Sequence, residues 1–209
     1  MSLISRLAEK SWLPPGGEGF ADPADYRPAA STVGLYLYFG VATVIFTLLI
    51  AAYLVRMGVP GMEHGGAGDW RPMPEPPLLW INTVVLIGSS LAWEAASRSV
   101  AWERMRLMTV AGGVLGLVFL AGQLLLWRQY QAAGYFLAAN PANAFFYLLT
   151  ALHGLHLAGG IFACARTLGQ MSAGTTDSAR VFRNVRLCAI YWHFLLLVWV
   201  LLAALLIST

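Results

Sequence analysis

Charge is scarce in this 209-residue chain: 11% of its residues are charged and 58% are apolar. A typical globular domain carries roughly 25% charged residues. So little charge cannot coat a body of this size in water, and lipid is the natural solvent for most of its surface. Lysine is almost missing, with Lys10 alone beside twelve arginines. The net charge of +3 is small, and the arginines flank apolar runs instead of forming a stripe, which argues against nucleic acid as a partner. The two cysteines, Cys164 and Cys188, lie in or beside apolar runs and form no CxxC. They read as packing residues, not as a disulfide or a thiolate metal site. There is no P-loop, no Rossmann turn and no recognisable Ser/His/Asp set. The first fifteen residues lack both an apolar core of signal length and an A-x-A site, so they do not read as a secretory signal. Leu3, Ile4 and Leu7 against Arg6, Glu9 and Lys10 describe either a short amphipathic surface helix ended by Pro14 and Pro15 or a disordered leader.

Long apolar runs are abundant. A helix crossing the roughly 30 Å hydrocarbon layer needs about 20 mainly apolar residues. Five stretches meet this test: Ser31 to Arg56, Leu78 to Ser97, Met105 to Trp127, Ala142 to Ala165 and Val185 to Ile207. The expected fold is an all-α membrane protein of five transmembrane helices, with residues 1–30 as a cytoplasmic leader and 31–209 as one membrane domain. The boundaries have local causes. Pro28 and Ser31 open the first helix, and Gly58 and Pro60 close it. Pro74, Pro76 and Pro77 precede the second, and Asn140-Pro141 caps the fourth. Gly169 and Gly174 are expected to break the chain after the fourth.

Arginine and lysine set an orientation. The N-terminal tail (Arg6, Lys10, Arg27), the connection between helices two and three (Arg98, Arg104, Arg106) and that between four and five (Arg166, Arg180, Arg183, Arg186) hold ten of the thirteen. Arg56, Arg71 and Arg128 lie on the other side. The bias predicts a cytoplasmic N-terminus and an external C-terminus, as five spans require, with the loop from Gly58 to Pro77 outside. Small residues at spacing four, Gly112 with Gly116 and Gly154 with Ala158, mark faces where helices approach closely.

Polar groups inside a bilayer are costly and each needs a reason. His153 and His156 in helix four share a face by their spacing, and His156 and His193 of helix five lie at similar depth, so that the two can face each other. One reading is a metal or bis-histidine haem site. The other is hydrogen bonding between helices or contact with lipid headgroups. Asn82 and Gln123 read as amides hydrogen-bonded across helices. Glu94, the one carboxylate well inside a span, reads as an i,i+4 ion pair with Arg98 at the interface. His64, with Glu63 and Asp69, reads as part of a solvated loop. Trp70, Trp80, Trp102, Trp127 and Tyr130 read as interfacial anchors. Tyr191 and Trp192 lie deeper and are expected to pack against neighbours.

Several segments resemble subunit III of the haem–copper oxidases. Leu79 to Ser90 reads LWINTVVLIGSS, similar to the family's NT-x-x-L-x-x-SS, and Gly116 to Gln123 reads GLVFLAGQ. Phe146 to Gly160 reads FYLLTALHGLHLAGG, close to FY-x-x-TG-x-HG-x-H. Tyr191 to Trp199 reads YWHFLLLVW, matching YWHF-x-x-x-VW. The match runs in order from about Ser31 to the C-terminus and suits the shorter, five-helix bacterial form. The resemblance implies an accessory subunit of a respiratory terminal oxidase that binds no haem, copper or other metal. It implies packing against subunit I beside subunit II, in the cytoplasmic membrane, with two groups of helices around a cleft that holds phospholipids. Under it Asn82, Glu94, Arg98, Gln123, His153, His156, Tyr191, Trp192 and His193 become candidates for lipid-cleft or inter-subunit packing, and none is catalytic. Two carboxylates common in the family are missing, with apolar residues near Ala42 and at Leu126 in their places. Their replacement argues against a carboxylate-dependent proton role. Such replacements resemble a branch associated with nitric oxide reductase. A quinol oxidase or nitric oxide reductase component, and a histidine-ligated membrane haem protein, stand as the alternatives. A small transporter is the weakest reading, since the discontinuous midplane helices it needs are not seen.

Overall fold

The computed structural model describes residues 29–58, 74, 76–172 and 178–208. The leader up to Pro15, the His64, Glu63 and Asp69 group, Trp70, Pro60 and Gly174 lie outside these residues. Among the described residues every regular element is a helix: α1 (Ala30–Met57), α2 (Pro77–Ser97), α3 (Trp102–Ala132), α4 (Pro141–Ser172) and α5 (Ser178–Ile207). All five are long and apolar enough to cross a membrane.

Helix starts and stops follow the sequence where it carries strong punctuation. Pro77 opens α2 in the first turn, where a missing N–H leaves nothing unpaired. The Asn140 side chain accepts a hydrogen bond from the Ala142 amide at 3.0 Å and caps α4. Gly58 follows α1 with φ of 79°, a left-handed conformation that glycine adopts without a Cβ penalty. The apolar runs underestimate α3, α4 and α5, which reach 31, 32 and 30 residues. At 1.5 Å per residue that is about 45 Å, well beyond the hydrocarbon layer. Arg104, Arg106 and Arg128 therefore lie on α3, Arg166 on α4, and Arg180, Arg183 and Arg186 on α5, not in loops. Nothing at those points breaks a helix, and long arginine stems reach the interface from helical positions. Gly169 does not end α4 either: a lone glycine costs about 1 kcal/mol in a helix but does not stop it.

The close helix pairs are α2 with α3, α3 with α4, α4 with α5 and α5 with α2. These four close a ring around one core containing Leu86, Trp93, Phe119, Leu157, Trp192, Leu195 and Trp199. From Leu35 onward α1 joins differently. Phe46 and Tyr53 insert beside Leu149, Val198 and Leu202, and Phe39 stacks on Phe194 with ring centroids 4.4 Å apart. The opposite side of α1 is open: Gly40 has no heavy atom within 4 Å of where a Cβ would stand. A ring of four helices thus carries α1, which is attached through aromatic side chains.

Glycine permits the close approaches in the ring. A Cβ on Gly112 would come within 2.7 Å of the Trp93 indole, and one on Gly116 within 2.9 Å of Trp192. The expected Gly112 and Gly116 face is therefore real. The expected Gly154 and Ala158 face is not: a Cβ on Gly154 would make only an ordinary contact with Leu120 at 3.5 Å, and Ala158 is exposed. Gly160 takes that role: a Cβ there would come within 2.6 Å of the Tyr191 ring and 2.9 Å of Trp192. Spacing alone does not say which residue of a small-residue row meets an indole.

Gly116→Ala should therefore destabilise by about 1–3 kcal/mol through overpacking, whereas Gly40→Ala should be neutral or stabilising by up to about 1 kcal/mol through helix propensity. Thermal unfolding midpoints of the solubilised variants check the contrast.

Candidate functional site

The polar residues inside the helices resolve into two sets. The first is built on α5. Trp192 and Trp199 are seven residues apart, so they fall on one helix face two turns apart. Both are fully buried. Buried indoles usually find an acceptor for the N–H; α2 supplies one to each of these two, whereas the indole N–H of Trp93, also fully buried, has none among the described residues. The Trp192 Nε1 donates to Ser89 Oγ at 2.6 Å, and Ser89 Oγ donates to the Gly112 carbonyl at 2.7 Å. The Trp199 Nε1 donates to Thr83 Oγ1 at 3.0 Å, and Thr83 Oγ1 donates to the Leu79 carbonyl at 2.9 Å. Each hydroxyl accepts once and donates once, so no buried polar atom of these two links is left over. Trp192 also packs 5.1 Å from the Trp93 ring, and Trp199 meets Phe119 edge-on at 4.9 Å.

The second set lies on the adjacent face of α5, also against α2. His193 bonds Ser90 Oγ through Nδ1 at 2.6 Å and Glu94 Oε2 through Nε2 at 2.9 Å. Glu94 in turn pairs with Arg98 through its other oxygen at 2.5 Å. The expected Glu94–Arg98 pair is present, and it continues into the span as a Ser90–His193–Glu94–Arg98 line. Sequence reasoning missed this line because Ser90 and His193 are 103 positions apart. A serine, a histidine and an acid in series resemble a hydrolytic set, but Ser90 is only 2% exposed, out of a substrate's reach. The line ties α2 to α5. Beside it a groove of about 370 Å³ is lined by Glu94, Ser97, Arg98, Arg186, Ala189 and Ile190.

The three histidines do not converge. His156 bonds the Leu152 carbonyl through Nδ1 at 2.7 Å and meets the rings of Tyr38 and Phe46 on α1. His193 meets α2. Equal depth therefore does not bring His156 and His193 face to face, since the ring turns them toward different neighbours. His153 and His156 also part company. His153 is fully buried against Phe119 and Trp199, and His156 faces α1. Among the described residues no group of three His, Cys, Asp or Glu side chains is placed to hold a metal ion. Tyr191 donates to the His156 carbonyl at 2.7 Å and lies 3.3 Å from the Tyr38 hydroxyl, closing the aromatic contact between α1, α4 and α5.

The cross-helix hydrogen bonds expected of Asn82 and Gln123 are not formed with described residues. The Asn82 amide nitrogen and both amide atoms of Gln123 are buried without a partner. Asn82 instead lies against Gly122, closer than any Cβ there would permit. The expected anchors divide: Trp80 is 53% exposed, but Trp127 turns inward to donate to Thr150 Oγ1 at 3.1 Å, and Tyr130 donates to the Pro74 carbonyl at 2.7 Å. Both cysteines are free and buried, as packing residues should be. Ala42 and Leu126 are buried at 1% and 0% exposure.

The family model for cytochrome c oxidase subunit III matches residues 29–207, nearly the whole described chain. The chain belongs to the cytochrome c oxidase subunit III family. Cytochrome c oxidase subunit 3 of Thermostichus vulcanus is 29% identical over 191 residues, covering 88% of this chain and 90% of that protein. The probable cytochrome c oxidase subunit 3 of Mycobacterium tuberculosis is 28% identical, covering 84% and 86%. The Bacillus subtilis subunit 3 is 27% identical, covering 80% and 81%. By this membership the chain is a multi-pass membrane component of an oxidase complex. The motifs that carried the resemblance acquire a physical meaning. In YWHFLLLVW, the two tryptophans are the indoles lodged in the ring, the tyrosine seals α1 against α4, and the histidine begins the polar line to Glu94. In NTVVLIGSS, Thr83 and Ser89 are the two acceptors.

Ser89→Ala leaves the Trp192 N–H without its acceptor in an apolar interior and should cost about 1–3 kcal/mol. Glu94→Gln retains an acceptor for His193 on a partly exposed surface and should cost less than about 1 kcal/mol. Unfolding midpoints of the two variants in the same detergent check this ranking.

Proposed function

We propose that this chain is the non-redox accessory subunit of a bacterial haem–copper terminal oxidase. It supports the catalytic subunit while electrons pass from cytochrome c to oxygen, and it performs no catalysis alone. The observation that carries this reading is the use already made of two of the three span histidines, His193 and His156, and of the two indoles of α5. His193 is committed to Ser90 and Glu94, His156 to a backbone carbonyl and the rings of α1, and the two indoles to hydroxyls of α2. These contacts hold helices together. Haem and copper belong on this reading to the partner subunits.

The outer faces suit partners and lipid. Leu37 and Leu48 on α1, Leu91 on α2, Leu117 and Leu125 on α3, and Leu197 on α5 are more than half exposed. Apolar patches this extensive mark contact with bilayer or protein. We assign part of this surface to subunit I, with subunit II beside it, and the remainder to phospholipid. Arg98 and Arg186, at the edge of the groove near the end of α2, suit a lipid phosphate. The α2–α3 and α4–α5 ends carry seven arginines, Arg98, Arg104, Arg106, Arg166, Arg180, Arg183 and Arg186. This favours those ends, and the N-terminus with them, facing the cytoplasm of the inner membrane. Residues 1–30 form the cytoplasmic leader and 31–209 the membrane domain on this reading. The apolar Ala42 and Leu126 argue against a carboxylate proton antenna.

An affinity tag on this chain should recover a large haem-bearing subunit together with phospholipid, and His193→Ala should leave the haem spectrum of that complex unchanged. The chain purified alone should show no Soret band; a Soret band that His193→Ala abolishes would overturn the proposal in favour of a histidine-ligated haem protein.

A further inference from the structure

We propose that Gln123 and His153 share an internal water-binding site inside the four-helix ring. Gln123 is 2% exposed and His153 is 0% exposed. Both amide atoms of Gln123 and both ring nitrogens of His153 lack a hydrogen-bond partner among the described residues. Most buried side-chain polar atoms in native proteins have one, so four orphaned atoms on two side chains call for a ligand.

Their placement makes it one site. Phe119 and Trp127 stand one turn to either side of Gln123 on α3, on the same face. Phe119 meets His153 with centroids 5.8 Å apart, and the Trp127 N–H reaches Thr150 at 3.1 Å. Gln123 is therefore opposite the turn of α4 that runs from Thr150 to His153. The neighbouring Gly122 carries the Asn82 side chain of α2 against it, and the Asn82 amide nitrogen is also without a partner. Three helices thus turn unsatisfied polar atoms toward one level of the ring, closed on the α5 side by Trp199 against His153.

The chemistry selects water. A primary amide both donates and accepts, and a neutral imidazole does the same through its two nitrogens. No carboxylate is among these groups to balance a cation, and no fixed positive charge to hold an anion. Water donates twice and accepts twice and fits such a mixed set. Buried waters typically make about three hydrogen bonds to otherwise unsatisfied groups and occur about once per 27 residues. Because the two nitrogens of an imidazole point in diverging directions, one water reaches only one of them, and the second is left for another water.

The decisive experiment is a density map of the intact complex in lipid, at a resolution that shows ordered water. Density within roughly 2.7–3.2 Å of both the Gln123 amide and a His153 nitrogen is the expected result. A direct contact between amide and imidazole, or no density between them, overturns the proposal. Gln123→Leu, His153→Phe and the double variant give an independent readout in the assembled complex. With a shared water the double variant lowers the unfolding midpoint no further than the worse single variant; additive losses count against it. Where a variant fails to assemble, the native map alone decides.

Discussion

The structure depends on how two tryptophans are buried in an environment that cannot solvate an indole N–H. Trp192 and Trp199 carry large apolar surfaces into the centre of the ring, and each brings one donor that must be satisfied there. Ser89 and Thr83 meet that requirement from α2. The indoles also need room, which the glycines at 116 and 160 leave for Trp192 on the facing sides of α3 and α4. Helix association in a membrane has no strong hydrophobic drive and relies on such packing and hydrogen bonds. One residue of α5 thus fixes the spacing of three neighbouring helices, and a second repeats the arrangement two turns away.

Around that centre the other features find their places. The polar line from Ser90 to Arg98 lies on the α2–α5 seam, so a charged pair inside a span is held where it is partly exposed near the end of α2. The first helix shares none of the ring's close approaches. It leans on α4 and α5 through Phe39, Phe46 and Tyr53, and its opposite side is open. A ring of four helices with one helix packed on its side and broad apolar faces is a scaffold suited to a neighbouring subunit and to lipid, which is the role proposed for it.

Much of this was legible in the sequence. Five spans, the caps at Pro77 and Asn140, the Gly112 and Gly116 face, the Glu94–Arg98 pair and the family all follow from local signals: hydropathy, punctuation, spacing and motif. What was not legible depends on rotation. Depth along a helix can be counted, but the direction in which a side chain points is set by which neighbours the ring places beside it. This is why His156 and His193, at equal depth, turn to α1 and α2, and why Gly160, not Ala158, seats the aromatic rings. Helix ends were misplaced for a related reason: hydropathy marks where lipid ends, and α3, α4 and α5 continue past it through arginines that tolerate helix and water alike.

The central claim is that α5 organises the ring through Trp192. Amide hydrogen exchange across the intact complex carrying Trp192→Phe, which keeps a ring but removes the N–H, tests it most directly. The account predicts faster exchange in α2 and α3 around Ser89 and Gly112 and in α4 around Gly160, together with α5. Faster exchange confined to α5, with the other three helices protected as before, would contradict it.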